Sequence, residues 1–91
     1  MASAKITVSG EVQMVGFRYY SLRAARRLGI RGYVRNLPTG QVEIAASGNE
    51  DDLEEFIGAV KEGPPSARVT DVKIDRSEGP GGGFSEFSII H

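Results

Sequence analysis

The sequence of 91 residues lacks cysteine and holds a single histidine, His91. The lack of cysteine excludes disulfides, thiolate metal sites and a cysteine nucleophile. One histidine at the end of the chain provides neither a histidine-based catalytic triad nor a cluster of metal ligands. We therefore expect that this chain works without a metal ion or another cofactor.

Long hydrophobic runs are also missing. The N-terminal residues Met1–Lys5 lack the apolar segment of a signal peptide, which needs about 7–15 residues, and no stretch approaches the roughly 18 apolar residues that span a bilayer. These features predict a cytoplasmic protein with no membrane partner. The length and the 40% share of hydrophobic residues predict one folded domain over residues 1–91.

The charges nearly cancel but are unevenly placed. The formal net charge of −1 argues against a general binder of nucleic acid. Six of the eleven basic residues lie in Arg18–Arg35, which contains no acidic residue, and five of the twelve acidic residues lie in Glu50–Glu55. The basic interval is compatible with a local anion site and also with a solvated helix face. Helical spacing scatters the acidic residues around a first turn, which disfavours a metal site there.

Hydrophobic periodicity divides the chain into strands and helices. Alternation with a period of two predicts strands, and a period near 3.6 predicts helices that end at Gly29 and before Pro64. Asn49 is the predicted N-cap of the second helix, and Pro38 with Gly40 predicts a tight hairpin turn. The predicted elements are strand Ala4–Ser9, helix 17–28, strand Ile30–Leu37, strand Gln41–Ala46, helix 50–62, strand Val69–Ile74, a flexible loop over Gly79–Gly83 and strand Phe84–Ile90.

The order of these elements consists of two split β-α-β units followed by a short extra strand. Such units fold as an antiparallel sheet with both helices on one face, the ferredoxin-like architecture of the α+β class. This architecture leaves function open, because it hosts enzymes, RNA-binding modules and regulatory domains. The central strands carry Ile6, Val8 and Ile44 where an RNA-reading sheet carries aromatic residues. We therefore expect no nucleic-acid partner.

The first candidate site is the segment Gly10–Arg18, which joins the first predicted strand to the first helix. Backbone N–H groups at a helix N-terminus have no intrahelical partner and can bind phosphate. Arg18, in the first turn, can add a bidentate guanidinium contact to the same oxygens. A glycine-containing turn followed by arginine is often only a turn, and the spacing alone leaves that alternative open.

The second candidate is Asn36, near the end of the second predicted strand. Its side-chain amide both donates and accepts hydrogen bonds, so it can orient a water molecule, but it cannot act as a base. An asparagine at this position can also be a structural turn residue, and its position alone does not decide between the two roles.

Together the two segments resemble one family. The sequences V-Q-M-V-G-F-R at 12–18 and G-Y-V-R-N-L-P-T-G-Q-V-E at 32–43 are similar to the two active-site motifs of acylphosphatases. Gly63–Val69 and the ending Phe87–Ile89 are similar as well, so the resemblance covers essentially the whole chain. The sequence departs from the family's pattern at Met14, where the family usually has glycine.

The resemblance implies an acylphosphatase, which hydrolyses small acyl phosphates to a carboxylate and inorganic phosphate without a metal. It implies Arg18 and Asn36 as the catalytic residues, with Asn36 placing the attacking water. It further implies a phosphate-binding loop formed by the amides of Gln13, Met14, Val15, Gly16, Phe17 and Arg18. We expect Met14 to adopt a negative φ with its side chain directed away from the phosphate, and we expect a monomer.

Two alternatives remain at this point. One is a module that handles carbamoyl phosphate, like the acylphosphatase-like domain of hydrogenase maturation factors. That domain normally lies in a much longer chain with zinc-binding cysteines, and this sequence has neither. The other is a regulatory domain that binds phosphate without turnover. Loss of Arg18 or Asn36 would indicate such a domain, but both residues are present.

Overall fold

Seven secondary-structure elements follow one another in the predicted order. The computed structural model of the protein describes residues 2–76 and 83–91. The first strand is longer than predicted and the last is shorter, while the predicted loop over Gly79–Gly83 lies, apart from Gly83, outside the described residues. The elements are β1 (Ala2–Glu11), α1 (Phe17–Leu28), β2 (Arg31–Asn36), β3 (Val42–Gly48), α2 (Glu50–Glu62), β4 (Arg68–Asp75) and β5 (Phe87–Ile90).

The strands form one five-stranded sheet in the order β4-β1-β3-β2-β5. The first four strands in the chain pair antiparallel, β1 with β3 and β4, and β2 with β3. The short last strand pairs parallel to β2 at the edge of the sheet. This topology confirms the predicted ferredoxin-like architecture with its extra strand, and it adds a parallel pairing that the sequence pattern does not specify.

Both helices cover one face of the sheet and form the core with it. Ile6 and Val8 alternate along β1 with exposed or half-buried residues and are fully buried. Leu53 and Phe56 lie three residues apart on α2, and the ring of Phe56 contacts that of Phe87 with centroids 5.8 Å apart. Each large apolar side chain buried here stabilises the fold by roughly 1.5–3 kcal/mol. In the described part of the chain, neither helix is long and apolar enough to cross a membrane.

The predicted helix ends and the hairpin turn are present. The Asn49 side chain accepts a hydrogen bond from the Asp52 N–H at 2.9 Å, which caps the N-terminus of α2. Gly29 ends α1 with a φ of 68°. In the turn between β2 and β3, the Leu37 N–H donates to the Gln41 carbonyl at 2.8 Å, and Gly40 has a φ of 93°. Glycine adopts this left-handed conformation without the steric cost of a Cβ atom.

Candidate active site at one edge of the sheet

The ends of three strands meet at the same edge of the sheet. β1 and β2 both run antiparallel to β3, so they are parallel to each other, and β5 is parallel to them. Val8 and Asn36 both pair with Val42, and Arg35 pairs with Ile90. The loop that follows β1, the last residue of β2 and the residue after β5 are therefore neighbours, although they are far apart in the sequence.

The loop after β1 leads into the N-terminus of α1, which has no side-chain cap. Gly16 is the N-cap with a φ of 80°. It has no side chain that could cap the helix, and the first turn contains no acidic residue. The first intrahelical bond runs from the Tyr20 N–H to the Gly16 carbonyl at 2.9 Å. The preceding N–H groups lie at the positive end of the helix dipole, which favours an anion there.

Met14 corrects one expectation. Its φ is +62°, so the expected negative φ is wrong, and its side chain is 98% exposed. Together with Gly16, Met14 places left-handed residues at alternate positions of the loop. Such alternation turns successive backbone N–H groups toward one side and forms an anion-binding concavity. The loop therefore holds Met14 in a backbone conformation that methionine disfavours, which costs about 1–2 kcal/mol of folding free energy.

Arg18 contacts the residue that follows the last strand. Its Nη1 atom lies 3.2 Å from Nδ1 of His91. A guanidinium is always a donor, so the contact is a hydrogen bond when Nδ1 of His91 is unprotonated and accepts it. A single histidine gave no sequence signal for a functional role, and nothing in the sequence links His91 to Arg18, which lies 73 positions earlier. The parallel pairing of β5 with β2 brings His91 to this edge.

The side chain of Asn36 contains a buried oxygen. Its Oδ1 atom accepts no hydrogen bond from the described residues. A buried acceptor without a partner costs about 1–3 kcal/mol, so such a group in a native fold calls for an explanation. Asn36 lines a cavity of about 150 Å³ together with Met14, Phe17, Arg18 and His91. A water molecule takes about 30 Å³ in the liquid, so this cavity has room for a small polar ligand.

The Gln13 side chain links the loop by hydrogen bonds to the hairpin that carries Asn36. Its Nε2 atom donates to the carbonyl oxygens of Leu37 and Gln41, each at 2.8 Å. These bonds span 24 and 28 residues of sequence and fix the two halves of the site relative to each other. The resemblance assigned a role only to the backbone amide of Gln13. The hydrogen bonds of its side chain could not be predicted, because such bonds leave no periodic signal in a sequence.

A hydrogen bond from the segment after α2 also holds the loop in place. The Ser66 hydroxyl donates to the carbonyl oxygen of Val15 at 2.9 Å. Val15 is half-buried against the core, and neither it nor Gln13 lines the cavity. Of the predicted phosphate-binding residues, Met14, Gly16, Phe17 and Arg18 line the cavity with Asn36.

Two of the acidic residues at the start of the second helix pair with an arginine away from the cavity. Arg76 bonds to Glu50 at 2.7 Å and to Glu54 at 3.1 Å, which is a solvent-exposed ion-pair cluster. Within residues 2–76 and 83–91, no three His, Asp or Glu side chains are grouped so that they could hold a metal ion.

A second polar cluster surrounds Glu43 on β3. Its Oε1 atom accepts hydrogen bonds from the Tyr33 hydroxyl at 2.9 Å and from Nε of Arg35 at 2.8 Å, and Nζ of Lys5 lies 3.5 Å from Oε2. Burial alone would raise the pKa of Glu43, but these hydrogen bonds and the positive charges of Arg35 and Lys5 lower it. Because every charge in the cluster has a partner, we infer that the cluster stabilises the fold.

The fold and the site together define a small α+β protein in which a loop at a helix N-terminus, an arginine and an asparagine line one cavity at an edge of the sheet. Comparison with known proteins gives the family. The family model for acylphosphatases matches residues 4–89, and the chain belongs to the acylphosphatase family.

Relatives with determined structures or curated names agree with this assignment. An acylphosphatase of Archaeoglobus fulgidus is 54% identical over 78 residues, which cover 86% of this chain and 88% of that protein. The crystal structure of acylphosphatase from Bacillus subtilis has 41% identity and a TM-score of 0.93, with all of both chains covered. A full-length HypF structure in a phosphate- and nucleotide-bound form covers 99% of this chain at 30% identity and a TM-score of 0.86, but only 12% of the HypF chain is matched.

Proposed function

We propose that this protein is an acylphosphatase, which hydrolyses the carboxyl–phosphate anhydride of small acyl phosphates. In this proposal the amides of Gln13 to Arg18 and the Arg18 guanidinium bind the phosphoryl group, and Asn36 orients the attacking water. The observation that carries the proposal is the cavity that Arg18, residues of the loop and Asn36 line together. The names of the relatives support the same reaction.

The leaving group explains why so few side chains suffice. When the water oxygen bonds to phosphorus and the bond from phosphorus to the acyl oxygen breaks, a carboxylate leaves. Its conjugate acid has a pKa near 4–5, similar to the values of about 3.9 and 4.3 for Asp and Glu. Such a group departs as an anion at neutral pH, so no general acid has to protonate it.

The site must still position the phosphoryl group of the substrate and neutralise its negative charge. Phosphoryl transfer is largely dissociative, with charge spread over the equatorial oxygens. Arg18 and the N–H groups at the start of α1 supply fixed positive charge and hydrogen-bond donors to those oxygens. The rigid loop, which Gln13 and Ser66 brace, presents these donors without reorganisation during the reaction.

Asn36 supplies the second requirement, an oriented nucleophile. The side-chain amide of Asn36, which lines the cavity, can donate a hydrogen bond to a water molecule and accept one from it. An amide cannot take a proton from that water. We propose that the proton passes to an oxygen of the substrate's own phosphate, so that the site needs no general base.

We further propose that residues 1–91 work as one domain and as a monomer. This is supported by the fact that described residues of a single chain, from the loop, α1, β2 and the end of β5, line the cavity. Inorganic phosphate is the expected product, and no metal ion or other cofactor takes part in the proposed steps. A cytoplasmic location remains a prediction.

Two other functions compete with this proposal. One is the module for carbamoyl phosphate, itself an acyl phosphate, that the sequence resemblance left open, and the likeness to part of a phosphate- and nucleotide-bound HypF is compatible with it. A regulatory domain would bind phosphate in the same cavity without turnover. Hydrolysis of an unrelated acyl phosphate separates the proposed enzyme from both of them.

The test is the release of benzoate from benzoyl phosphate, with and without EDTA. We expect hydrolysis that EDTA leaves unchanged, and a loss of activity in Arg18→Gln but not in Arg26→Gln, which removes an exposed charge from the same helix. No release of benzoate by the wild-type protein would contradict the enzyme. Inhibition by EDTA that zinc or magnesium reverses would contradict the metal-free mechanism.

A further inference from the structure

His91 lies at the wall of the candidate active-site cavity, although the proposed reaction does not use it. Its Nδ1 atom lies 3.2 Å from Nη1 of Arg18, and both residues line the cavity together with Asn36. An imidazole ordinarily changes its charge between about pH 5 and 8. A group that can gain a charge therefore lies beside the arginine that we propose binds the phosphoryl group.

The last strand places His91 at this position. The Phe87 side chain is buried, and Ile89 is half-buried against the core. Ile90 pairs with Arg35 of the neighbouring strand β2. The backbone is thus held by the sheet up to the residue before His91, and the fold itself brings the imidazole to the cavity.

The contact between the two side chains requires a neutral imidazole. A guanidinium has donors only, so Nδ1 of His91 has to be the acceptor and its proton has to be on Nε2. Arg18 makes no ion pair with the residues that the structure describes. Neutral His91 is therefore the described side chain that holds the Arg18 guanidinium by a hydrogen bond.

No described acidic side chain lines the cavity beside His91. The charged or titratable residues that line it with His91 are Arg18 and Tyr19 of α1, and the other described residues there are uncharged and do not titrate. Arg35, on the neighbouring strand, directs its Nε atom to Glu43 at 2.8 Å. A negative charge for a protonated His91 would thus have to come from a ligand in the cavity.

We propose that His91 is a phosphoryl-binding residue that takes up a proton from solvent when the anion binds. This inference rests on the proposed function, because the anion is the phosphoryl group of the substrate or product. Without a bound anion, a proton on His91 would place two cations side by side, and a dianion between them offsets that repulsion. Arg18 then donates to the phosphoryl oxygens instead of Nδ1.

The two states of His91 have different tasks in this proposal. The neutral imidazole positions the Arg18 guanidinium before the anion arrives. The protonated imidazole has two N–H donors and no acceptor, so it can bind phosphoryl oxygens but cannot serve as a general base. The proposed transfer of the water proton to the substrate is therefore unchanged.

Proton uptake predicts that the affinity for a dianion rises as the pH falls. The complex holds one more proton than the free protein, so binding is stronger below the range in which the free imidazole titrates and weaker above it. The contact with Arg18 is solvent-exposed. We therefore expect a change of about twofold to fivefold in Kd, the scale of an exposed charge pair.

The test uses sulfate, which is tetrahedral like phosphate but stays a dianion where phosphate groups gain a proton. Calorimetry on the wild-type protein should give a Kd about twofold to fivefold lower at about pH 5.5 than at about pH 8. The matched variant is His91→Asn, whose amide oxygen is bonded to the γ carbon as Nδ1 is. This variant keeps an acceptor for Arg18 but cannot be protonated, so its Kd should equal the wild-type value at about pH 8 and should not change with pH.

A second measurement needs no variant, because His91 is the only histidine in the sequence. Its Cε1–H resonance in the protein without an added tag reports the titration of this imidazole directly. Saturating sulfate should move the midpoint of that titration upward by about 0.3–0.7 pH units, the logarithm of the same affinity ratio. An unmoved midpoint, or a Kd that depends on pH equally in His91→Asn, would overturn the inference.

These measurements also separate the inference from the proposed reaction. If benzoyl phosphate is not hydrolysed but sulfate moves the midpoint, the proposed function fails and the role of His91 in anion binding stands. If benzoyl phosphate is hydrolysed while the midpoint does not move, the proposed function stands and the inference about His91 fails.

Discussion

At the scale of single residues, Met14 and Asn36 are two positions that local stability alone does not explain. Met14 occupies a left-handed conformation that glycine would adopt without strain, and the buried Oδ1 atom of Asn36 has no hydrogen-bond partner among residues 2–76 and 83–91. Residues that conflict with local preferences are frequent at functional sites, because the surrounding structure is built to hold them. Both lie in the cavity that also contains Arg18.

The first prediction concerns Met14→Gly. Removing the Cβ atom relieves about 1–2 kcal/mol of strain at positive φ, and the greater freedom of glycine in the unfolded chain offsets about 0.4–1 kcal/mol of it. We expect a net gain of up to about 1 kcal/mol in the free energy of unfolding, measured by urea denaturation. A loss of stability would show that the left-handed conformation of Met14 carries no strain.

The second prediction concerns Asn36→Ala. If Asn36 holds the water and not the phosphate, kcat should fall by roughly a hundredfold or more, which is the scale for loss of one preorganised polar contact. The Kd of inorganic phosphate should change by less than about threefold. Kinetics and calorimetry on the same preparation separate the two effects. Near-normal turnover with a lower melting temperature would make Asn36 a structural residue.

At the scale of elements, the helix ends and the hairpin turn follow from short-range chemistry, and the sequence alone predicts them. Asn49 as an N-cap and Gly40 at positive φ are examples, because each depends on a few neighbouring residues. The contacts that assemble the site could not be predicted in this way. The bonds of Gln13 to the hairpin and the approach of His91 to Arg18 depend on strand pairing, which brings distant segments together.

The resemblance to a family, rather than the physics of the sequence, identified the site residues. Arg18 and Asn36 each had an ordinary structural alternative when taken singly. The sequence pattern also gave no reason for a left-handed Met14, because backbone conformation in a loop depends on the loop's closure as a whole. The expectation of a negative φ was wrong for this reason.

The third prediction concerns the Glu43 cluster on β3. Because the pKa of Glu43 is lowered in the folded protein from its ordinary 4.5, the unfolded chain binds a proton first as the pH falls. The contribution of Glu43 to stability is thus present above pH 4.5 and is lost as the pH falls through the lower folded pKa.

Glu43→Gln should lower the free energy of unfolding at pH 7 by about 1–2 kcal/mol. The difference between the variant and the wild-type protein should shrink in denaturation curves recorded below pH 4.5. Glu86→Gln, an exposed position, serves as the control. A difference that is constant with pH would show that the charge of Glu43 does not stabilise the fold.

At the scale of the whole molecule, the proposed phosphate binding would couple ligand binding to folding through the candidate active-site cavity. The loop, the hairpin and the last strand all contribute to it, so a ligand there joins segments from both ends of the chain. A ligand that binds only the folded state raises the free energy of unfolding by about 2.7 kcal/mol at a hundredfold excess over its Kd.

The fourth prediction follows from this coupling. Inorganic phosphate at that excess should raise the melting temperature by roughly 10–20 °C, since about 1 kcal/mol corresponds to 4–8 °C in a domain of this size. Arg18→Gln should remove most of the shift, whereas Arg26→Gln should keep it. An undiminished shift in Arg18→Gln would place the phosphate elsewhere on the protein.

The central claim is that water attacks phosphorus at this site and expels a carboxylate. The most direct measurement is hydrolysis of benzoyl phosphate in water enriched in oxygen-18, followed by mass spectrometry of both products. Attack on phosphorus places the label in inorganic phosphate and leaves benzoate unlabelled, and this is the result that we predict. Label in the benzoate would mean attack at the carbonyl carbon, and it would contradict the mechanism built on Arg18, the loop amides and Asn36.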